Sequence, residues 1–355
     1  MSAEKPRILG ILRWQDRAPT AFALFALLLS GCGGGSAPVS PPAPETEGTQ
    51  RPVATVASNA GPPGKALGLD STFWQTWGDG QAELSSYTLR YPRYGSLRSG
   101  TAVAIFVTEN LSLASRVKTD MAPAPGNDAF PVMKLNLVED FQTGIYDYNV
   151  MTSTFVALDA IDGRAAGQPA KVSFSSQEWC GHVYQQLLFG QHAIDSTMHS
   201  YFEGEADQQK QLPSPRNGFS EDVLMHWARG MAQPLLNPGE TKSVSLLPSL
   251  KSSRFRHRPL GWTEARLSRG AEAQTLTVSA GTFEVEVFEA AIQGGPTRTY
   301  FVERAAPHRI VKWISDDGES AEMLRSVRGK YWQMNDVASE AKLSGLALPR
   351  PSQAP

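Results

Sequence analysis

Residues 178–182, Glu-Trp-Cys-Gly-His, bring together the side chains of this 355-residue sequence that are best suited to chemistry. If one strand runs unbroken from Val172, its period of two places alternate side chains on the same face. That face would carry Glu178, Cys180, His182 and Tyr184, with Trp179 on the other. A carboxylate, a thiol, an imidazole and a phenol on one face could form a metal site or a nucleophile–base pair.

Packing is the alternative interpretation of this stretch. A free cysteine is among the most frequently buried residue types, and Gly181 could introduce a bulge that changes the alternation. No Cys-x-x-Cys or His-Glu-x-x-His motif supplies further metal ligands, so which metal, if any, would bind is open. We favour packing over a ligand contact, and a ligand contact over catalysis, and we expect no cofactor.

Two further stretches are candidates for binding. Tyr146, Asp147 and Tyr148 could line a groove whose aromatic faces take apolar or sugar ligands, or they could form cross-strand aromatic pairs with Asp147 at a turn. The basic run 254–258, Arg-Phe-Arg-His-Arg, could contact anionic lipid headgroups, although a solvated loop is the simpler interpretation.

The elements that must position these residues have the pattern of antiparallel β structure. Large apolar side chains recur at every second position in Tyr87, Leu89 and Tyr91, and apolar and polar residues alternate strictly over residues 283–287. Asp317-Gly318 is a strong hairpin signal. Connections this short favour meanders over crossovers. The sequence therefore predicts a mainly β protein, a large curved antiparallel sheet or half-barrel with one or two covering helices.

One helix is predicted after Ser220, a suitable N-cap, with an apolar stripe from Val223 to Met231. The predicted β domain covers residues 66–338, with a sub-boundary near the polar loop 204–218. Residues 339–355 are predicted to be a disordered tail.

The N-terminal residues have the features of an export signal. Basic residues precede an apolar run, 21–29, that is far shorter than the ~20 residues of a membrane-spanning helix. Leu29-Ser30-Gly31-Cys32 follows and resembles the bacterial lipobox. The resemblance implies cleavage after residue 31, lipidation of Cys32 and anchoring in a bilayer by acyl chains. Gly33, in place of aspartate, implies the outer membrane, with the protein facing the periplasm.

Residues 32–65 are predicted to be a flexible tether, because 13 of the 32 residues 33–64 are glycine or proline. Without residues 1–31 the formal net charge is −4, and the mature chain has no large cluster of lysine and arginine. Such a chain offers no electrostatic footprint for nucleic acid. Because Cys32 is assigned to lipidation, Cys180 is the one cysteine left, so the fold cannot depend on a disulfide.

Residues 133–155 and 175–183, with Val107-Thr108-Glu109, resemble a family of uncharacterised bacterial exported proteins and lipoproteins. Some members are labelled septum formation inhibitor. The Ser-x-Ser-Pro-Arg-Arg loop of the true nucleotide pyrophosphatases with that name is matched here only by Ser214-Pro215-Arg216 in mid-chain. The resemblance therefore implies a family and no activity.

We expect a membrane-anchored envelope lipoprotein, a binding protein rather than an enzyme, that takes an apolar or envelope-derived ligand or a protein partner on its concave sheet. A metal-dependent or thiol enzyme centred on Cys180 and His182 is one alternative. A structural envelope protein is the other.

Overall fold

The computed structural model describes residues 67, 69, 71–215 and 217–348. They belong to the compact unit Ala60–Pro355. The predicted leader, Cys32 and the predicted tether lie outside the described residues. Among the residues described, no helix is both long and apolar enough to cross a bilayer.

Most of the described chain is β-strand, as predicted from the alternation of apolar residues. The first eight strands are β1 (Ala82–Arg93), β2 (Ser96–Leu111), β3 (Phe130–Thr143), β4 (Tyr146–Ala157), β5 (Pro169–Glu178), β6 (Gly181–Phe189), β7 (Ala193–Ser200) and β8 (Gln208–Pro213). The others are β9 (Gly218–Ser220), β10 (Thr241–Leu247), β11 (Thr263–Arg269), β12 (Gln274–Val278), β13 (Gly281–Ile292), β14 (Thr297–Glu303), β15 (Ile310–Ser315) and β16 (Ser320–Gly329).

The helices within the described residues are short. The α-helices are α1 (Ser71–Trp77), α2 (Leu224–Ala228) and α3 (Leu250–Phe255). The 3₁₀ helices are Glu221–Val223, Tyr331–Gln333 and Val337–Leu346.

All sixteen strands belong to one sheet, in the order β8-β7-β6-β5-β4-β3-β2-β1-β16-β15-β14-β13-β11-β10-β9, with β12 paired to β13. Every pair is antiparallel except β9 with β10, which is parallel. The predicted hairpin at Asp317-Gly318 is confirmed, since it joins β15 to β16. The fold is therefore mainly β, a single large sheet built mostly from hairpins, as predicted.

The two edge strands of this order, β8 and β9, are consecutive in the sequence. Only residues 214–217 separate them, and a chain of that length spans at most roughly 18 Å. The sheet must therefore curve enough to bring its first and last strands near each other. The predicted sub-boundary at 204–218 coincides with this passage, and the residues on both sides belong to the same compact unit.

The helical segment after Ser220 is confirmed and is more deeply buried than an apolar stripe requires. The Ser220 side chain accepts a hydrogen bond from the backbone N–H of Asp222. A 3₁₀ turn follows, then α2, and all five residues of α2 are buried. The indole N–H of Trp227 donates to the carbonyl of Pro234 at 2.9 Å. A helix that is buried all round lies inside the core, not on its surface.

The inner face of the sheet is the face that carries the main core. Tyr87, Leu89 and Tyr91 are all buried there, as their alternation predicts. The hydroxyl of Tyr87 donates to the carbonyl of Ile310 at 2.9 Å, which satisfies its polar end. The helices α2 and α3 contribute Trp227 and Leu250 to the same core. The inner face is thus packed by the chain's own side chains.

The structure differs from the predicted disordered tail. Residues 337–346 form a 3₁₀ helix capped by Asp336, whose side chain accepts from the N–H of Ser339. Leu346 is buried, and its carbonyl accepts a hydrogen bond from the hydroxyl of Ser86 on β1. Two contacts with the sheet therefore hold this segment, and residues 349–355 lie outside the described part.

Candidate functional site

The stretch 178–182 is a hairpin turn, so the prediction of one unbroken strand is wrong. Strand β5 ends at Glu178 and β6 begins at Gly181, where Glu178 pairs with Gly181 and Gln177 with His182. Trp179 and Cys180 form the turn. Gly181 has φ +154°, a backbone conformation that residues with a side chain rarely adopt.

The hairpin separates the side chains that were predicted to share one face. His182 and Tyr184 lie exposed on the outer face of β6, whereas Cys180 lies exposed at the turn. The N–H of Cys180 donates to Oε2 of Glu178 at 2.9 Å. A separate side-chain hydrogen bond between the thiol and Glu178, together with the charge of that carboxylate, raises the pKa of the Cys180 thiol. A raised pKa lowers the thiolate fraction, which is the reverse of what a nucleophile needs.

The expected burial of Cys180 is wrong as well, because the residue is exposed at the turn. Within the described residues, no group of three or more histidine, cysteine, aspartate or glutamate side chains could hold a metal ion.

Tyr146, Asp147 and Tyr148 divide between the two faces of β4. Tyr148 is buried and stacks on its cross-strand partner Phe141, with ring centroids 5.1 Å apart and an interplanar angle of 6°. This is the cross-strand aromatic pair that was the alternative to a binding groove. Asp147 is exposed and accepts a hydrogen bond from Nδ2 of Asn149 at 2.7 Å. Tyr146 is half-buried.

Large apolar side chains are exposed on successive hairpins at one end of the sheet. In an antiparallel meander the turns β1–β2, β3–β4, β5–β6 and β7–β8 all lie at the same end. We call their exposed apolar side chains the apolar rim: Tyr94, Leu97, Ile145, Trp179 and Tyr201, with exposed fractions of 53–81%. Because neighbouring turns are two strands apart, they lie roughly 10 Å from each other, and the four span roughly 30 Å.

Aromatic contacts connect these turns into one band. The hydroxyls of Tyr94 and Tyr148 are 2.7 Å apart, and the rings of Tyr146 and Trp179 lie 6.3 Å apart. Tyr201 lies against Gly181, where an added Cβ would come within 2.6 Å of its ring. Tyr94, Trp179 and Tyr201 therefore have neighbours on adjacent hairpins and are not isolated exposed side chains.

A cluster of charged residues lies inside the sheet. We call it the buried ionic cluster: Glu139 on β3, Glu221 and the half-buried Asp222 before α2, Lys251 on α3, Arg298 on β14 and Glu319 before β16.

Its two cations are shared among the carboxylates. Nζ of Lys251 lies 2.8 Å from Oε1 of Glu139 and 3.3 Å from Oε1 of Glu319. The guanidinium of Arg298 donates to Glu221 at 2.5 Å and to Glu319 at 3.2 Å. These contacts connect strands that are far apart in the sheet to both helical segments.

The electrostatics of the cluster divide its carboxylates into two kinds. Burial alone would raise the pKa of Glu319, but Lys251 and Arg298 lower it to about 2. Burial and the neighbouring charge of Glu221 raise the pKa of Asp222 to about 7. Burial also raises the pKa of Glu139. The cluster thus combines a carboxyl whose pKa is lowered, that of Glu319, with two whose pKa is raised, those of Asp222 and Glu139.

The cavity beside this cluster is too small for a substrate. Its volume is about 60 Å³. That is room for a few water molecules, whereas ligand sites usually have about 300–1,000 Å³. The arrangement therefore fits a packed ionic core better than a reaction site.

The basic run 254–258 follows α3 and is partly paired. Nη1 of Arg254 and Nδ1 of His257 each lie 3.3 Å from Oε1 of Glu205, and Nη2 of Arg256 lies 2.5 Å from Asp317. Arg258 is exposed and makes no ion pair with any described residue.

Sequence reasoning missed the apolar rim and the buried ionic cluster. The rim had a local signal, because Tyr94-Gly95, Gly144-Ile145 and Trp179-Cys180-Gly181 combine a turn glycine with a large apolar residue. The ionic cluster had none, since its members are distant in sequence.

Comparison with known proteins gives one weak structural similarity and no matching family. No family model matches the chain, and no curated protein matches it. One solved structure is similar, a beta-barrel-like protein of the domain of unknown function DUF1849 from Brucella abortus. It is 11% identical, with a TM-score of 0.43, and the similarity covers 70% of this chain and 98% of that one. The fold of this chain is mainly β, and the neighbour is an uncharacterised bacterial protein.

Proposed function

We propose that this chain is a lipid-anchored envelope protein whose sheet domain binds a protein partner through the apolar rim. The observation that carries the proposal is the row of exposed apolar side chains on four successive hairpins. Contiguous apolar patches edged by polar residues are typical of interaction sites. Trp179, Tyr94 and Tyr201 are of the types most enriched in binding hot spots.

A protein partner fits the rim better than a bilayer does. Asp147, Glu178, Glu203 and Asp207 lie on the same hairpins, and three of them are exposed. Carboxylates are repelled by anionic headgroups and are costly to bring into hydrocarbon. A partner surface with basic residues around an apolar centre would complement both the rim and these charges.

The inner face supports the same assignment. The sequence favoured a ligand on the concave sheet, but α2 and the buried ionic cluster occupy that region, next to a cavity of about 60 Å³. The rim, by contrast, is accessible.

The anchor rests on the resemblance of residues 29–32 to a lipobox. Strand β1 begins beside α1, at the end of the sheet opposite the rim, because Oγ1 of Thr108 on β2 donates to the carbonyl of Trp77 at 2.6 Å.

The anchor is tested with the full chain and its Cys32→Ser variant expressed in a bacterium that processes lipoproteins. We expect the parent to fractionate with membranes and to carry acyl chains by intact mass, and the variant to be soluble and unmodified. Membrane association of both with unmodified masses would contradict the anchor.

The rim is tested separately, with a chain that begins at Gly33 and so retains the whole compact unit. The rim variant replaces Ile145, Trp179 and Tyr201 by serine. The control variant replaces three other exposed apolar residues, Met151, Tyr184 and Val327, which are 39–40% exposed and lie on strands.

Binding is measured to washed envelope membranes, to the same membranes after protease treatment, to protein-free phospholipid vesicles and to cell-wall sacculi. We expect saturable binding to untreated membranes only, weakened about tenfold or more in the rim variant, because each lost hot spot contributes ~2 kcal/mol. The control variant should bind like the parent. Equal binding to vesicles or sacculi, or equal losses in both variants, would refute the assignment.

A further inference from the structure

A cavity of about 270 Å³ lies at one edge of the sheet, beside the β7–β8 turn that carries Tyr201 and apart from the buried ionic cluster. We call it the edge cavity. Its floor is the inner face of β7 and β8, where Ser196 pairs with Lys210 and Met198 with Gln208. Its other wall is the segment that follows α3, including Arg258 and Leu260.

A buried hydroxyl without a partner lies in the wall of the edge cavity. Ser253 is 8% exposed, and its Oγ makes no hydrogen bond with any described residue. Buried polar side chains nearly always have a hydrogen-bond partner, either protein, water or ligand. Both other polar groups of Ser253 are satisfied, since its N–H donates to Ser249 and its carbonyl accepts from Arg258. The hydroxyl is thus a buried polar group, on a residue that lines the cavity, that no described residue satisfies.

The charge of the edge cavity is positive. Lys210 and Arg258 are exposed and form no ion pair or side-chain hydrogen bond within the described part of the chain. Arg254 and His257 share one carboxylate, that of Glu205. At least three permanent cations therefore face one anion, which favours an anionic ligand.

The remaining lining is apolar. Met198, Leu212 and Leu260 contribute side chains to the same cavity. A volume near the lower limit of ligand pockets, about 300 Å³, has room for a headgroup and a short chain but not for two acyl chains.

We propose that the edge cavity binds a phosphate or carboxylate group attached to a short apolar chain. The anionic group would receive charge-assisted hydrogen bonds from Arg258 and Lys210 and a hydrogen bond from the Ser253 hydroxyl. The chain would lie along Met198, Leu212 and Leu260. This site goes beyond the proposed protein partner, because a small acidic ligand and a protein would occupy different surfaces.

The test is isothermal titration with four probes: octyl phosphate, octanoate, octanol and inorganic phosphate. Octyl phosphate and octanoate each have an acidic group and an eight-carbon chain. Octanol has only the chain, and inorganic phosphate has only the acidic group. A fifth arm, vesicles containing phosphatidylglycerol, distinguishes a lipid headgroup in a bilayer from a free acidic ligand. Each titration uses the chain from Gly33 onward.

The test variant combines Arg258→Met with Lys210→Met. Its matched control combines Arg266→Met with Lys242→Met, which removes the same two charges from exposed positions on β11 and β10. A third variant, Ser253→Ala, deletes only the unpaired hydroxyl. Circular dichroism melting shows that each variant is folded.

We expect saturable 1:1 binding of octyl phosphate or octanoate, with the Kd raised about tenfold or more in the test variant by loss of two charge-assisted contacts. The control should bind as the parent does, and Ser253→Ala should bind more weakly without a loss of melting temperature. Equal affinity for octanol, equal losses in test and control variants, or no saturable binding by either acidic probe would overturn the proposal. Binding to vesicles with the same variant dependence would assign the acidic group to a lipid headgroup.

Discussion

Removal of Arg229 should destabilise the fold far more than removal of any surface arginine. Its guanidinium forms two parallel hydrogen bonds with Glu83, Nη1 to Oε1 at 2.8 Å and Nη2 to Oε2 at 2.9 Å. The side chain of Arg229 is 0% exposed and that of Glu83 is 2% exposed. Nη2 also donates to the carbonyl of Pro307 at 2.8 Å, and the guanidinium carbon lies 4.2 Å from the ring centroid of Phe106.

The expected loss follows from these contacts. Arg229→Met leaves the carboxylate of Glu83 buried without its cation, which typically costs about 3–5 kcal/mol of the free energy of unfolding. Loss of the contact with the Phe106 ring adds about 0.5–2 kcal/mol. The double variant Glu83→Leu/Arg229→Met removes both charges, and we expect it to recover most of the loss because replacing a whole buried pair by apolar groups is often nearly neutral.

The assay is equilibrium unfolding in urea at pH 7, followed by far-ultraviolet circular dichroism and tryptophan fluorescence on the same samples. Coincident transitions justify a two-state free energy. The control is Arg304→Met, because the Arg304–Glu284 pair is 61% and 71% exposed with a separation of 3.8 Å. We expect that control to lose about 0–1 kcal/mol. A double variant as unstable as Arg229→Met, or a single variant no less stable than the control, would refute the reasoning.

Three further predictions concern titratable groups. Burial raises the pKa of Asp222 to about 7, so its contribution to stability is complete below about pH 4 and is lost as pH rises to 7. Urea unfolding at several pH values measures this fall in the free energy of unfolding, which is at most about 1.4 kcal/mol per pH unit. Asp222→Asn should remove it. Burial lowers the pKa of His226 to about 3, so stability is lost as pH falls from about 6.5. His226→Gln should lack this slope, and a variant that keeps it would contradict the assignment. Finally, Glu178→Gln should lower the pKa of Cys180 and speed its alkylation by iodoacetamide at pH 7.5 in a chain whose other cysteine is serine, whereas Asp147→Asn should leave the rate unchanged.

Local signals were sufficient for much of the fold. The turn at Asp317-Gly318 and the strand through residues 283–287 were predictable, because a hairpin turn and a period of two are properties of a few consecutive residues. The N-cap at Ser220 was predictable for the same reason.

The error at residues 178–184 shows where alternation fails. A strand of period two and a two-residue turn between two strands can have the same apolar pattern. Gly181 was the one residue that could have distinguished the turn from a continuous strand, because its positive φ and the close approach of the Tyr201 ring require a glycine. That approach comes from a residue on the next hairpin, which the local sequence does not show.

The buried ionic cluster was not predictable by any local rule. Lys251 and Glu139 are 112 residues apart in sequence, and Lys251 and Glu319 are 68 apart. Taken alone, each of these residues would be predicted to be solvent-exposed, since unpaired lysine and glutamate are almost never fully buried. Only the strand order, which places β3, β14 and β16 around the helical segment, brings these charges together.

Charge and apolar surface are thus distributed against the usual tendency, with six ionisable side chains inside the sheet and five large apolar ones at its rim. The two sets have different consequences for substitution. The buried charges hold one another, so removal of one exposes another to an apolar environment and lowers stability. Ile145, which is 81% exposed, has little burial to lose, and most substitutions of that kind change the free energy of unfolding by no more than about 0.5 kcal/mol. A loss of binding in the rim variant, at unchanged stability, would therefore report on the interface itself and not on the fold that presents it.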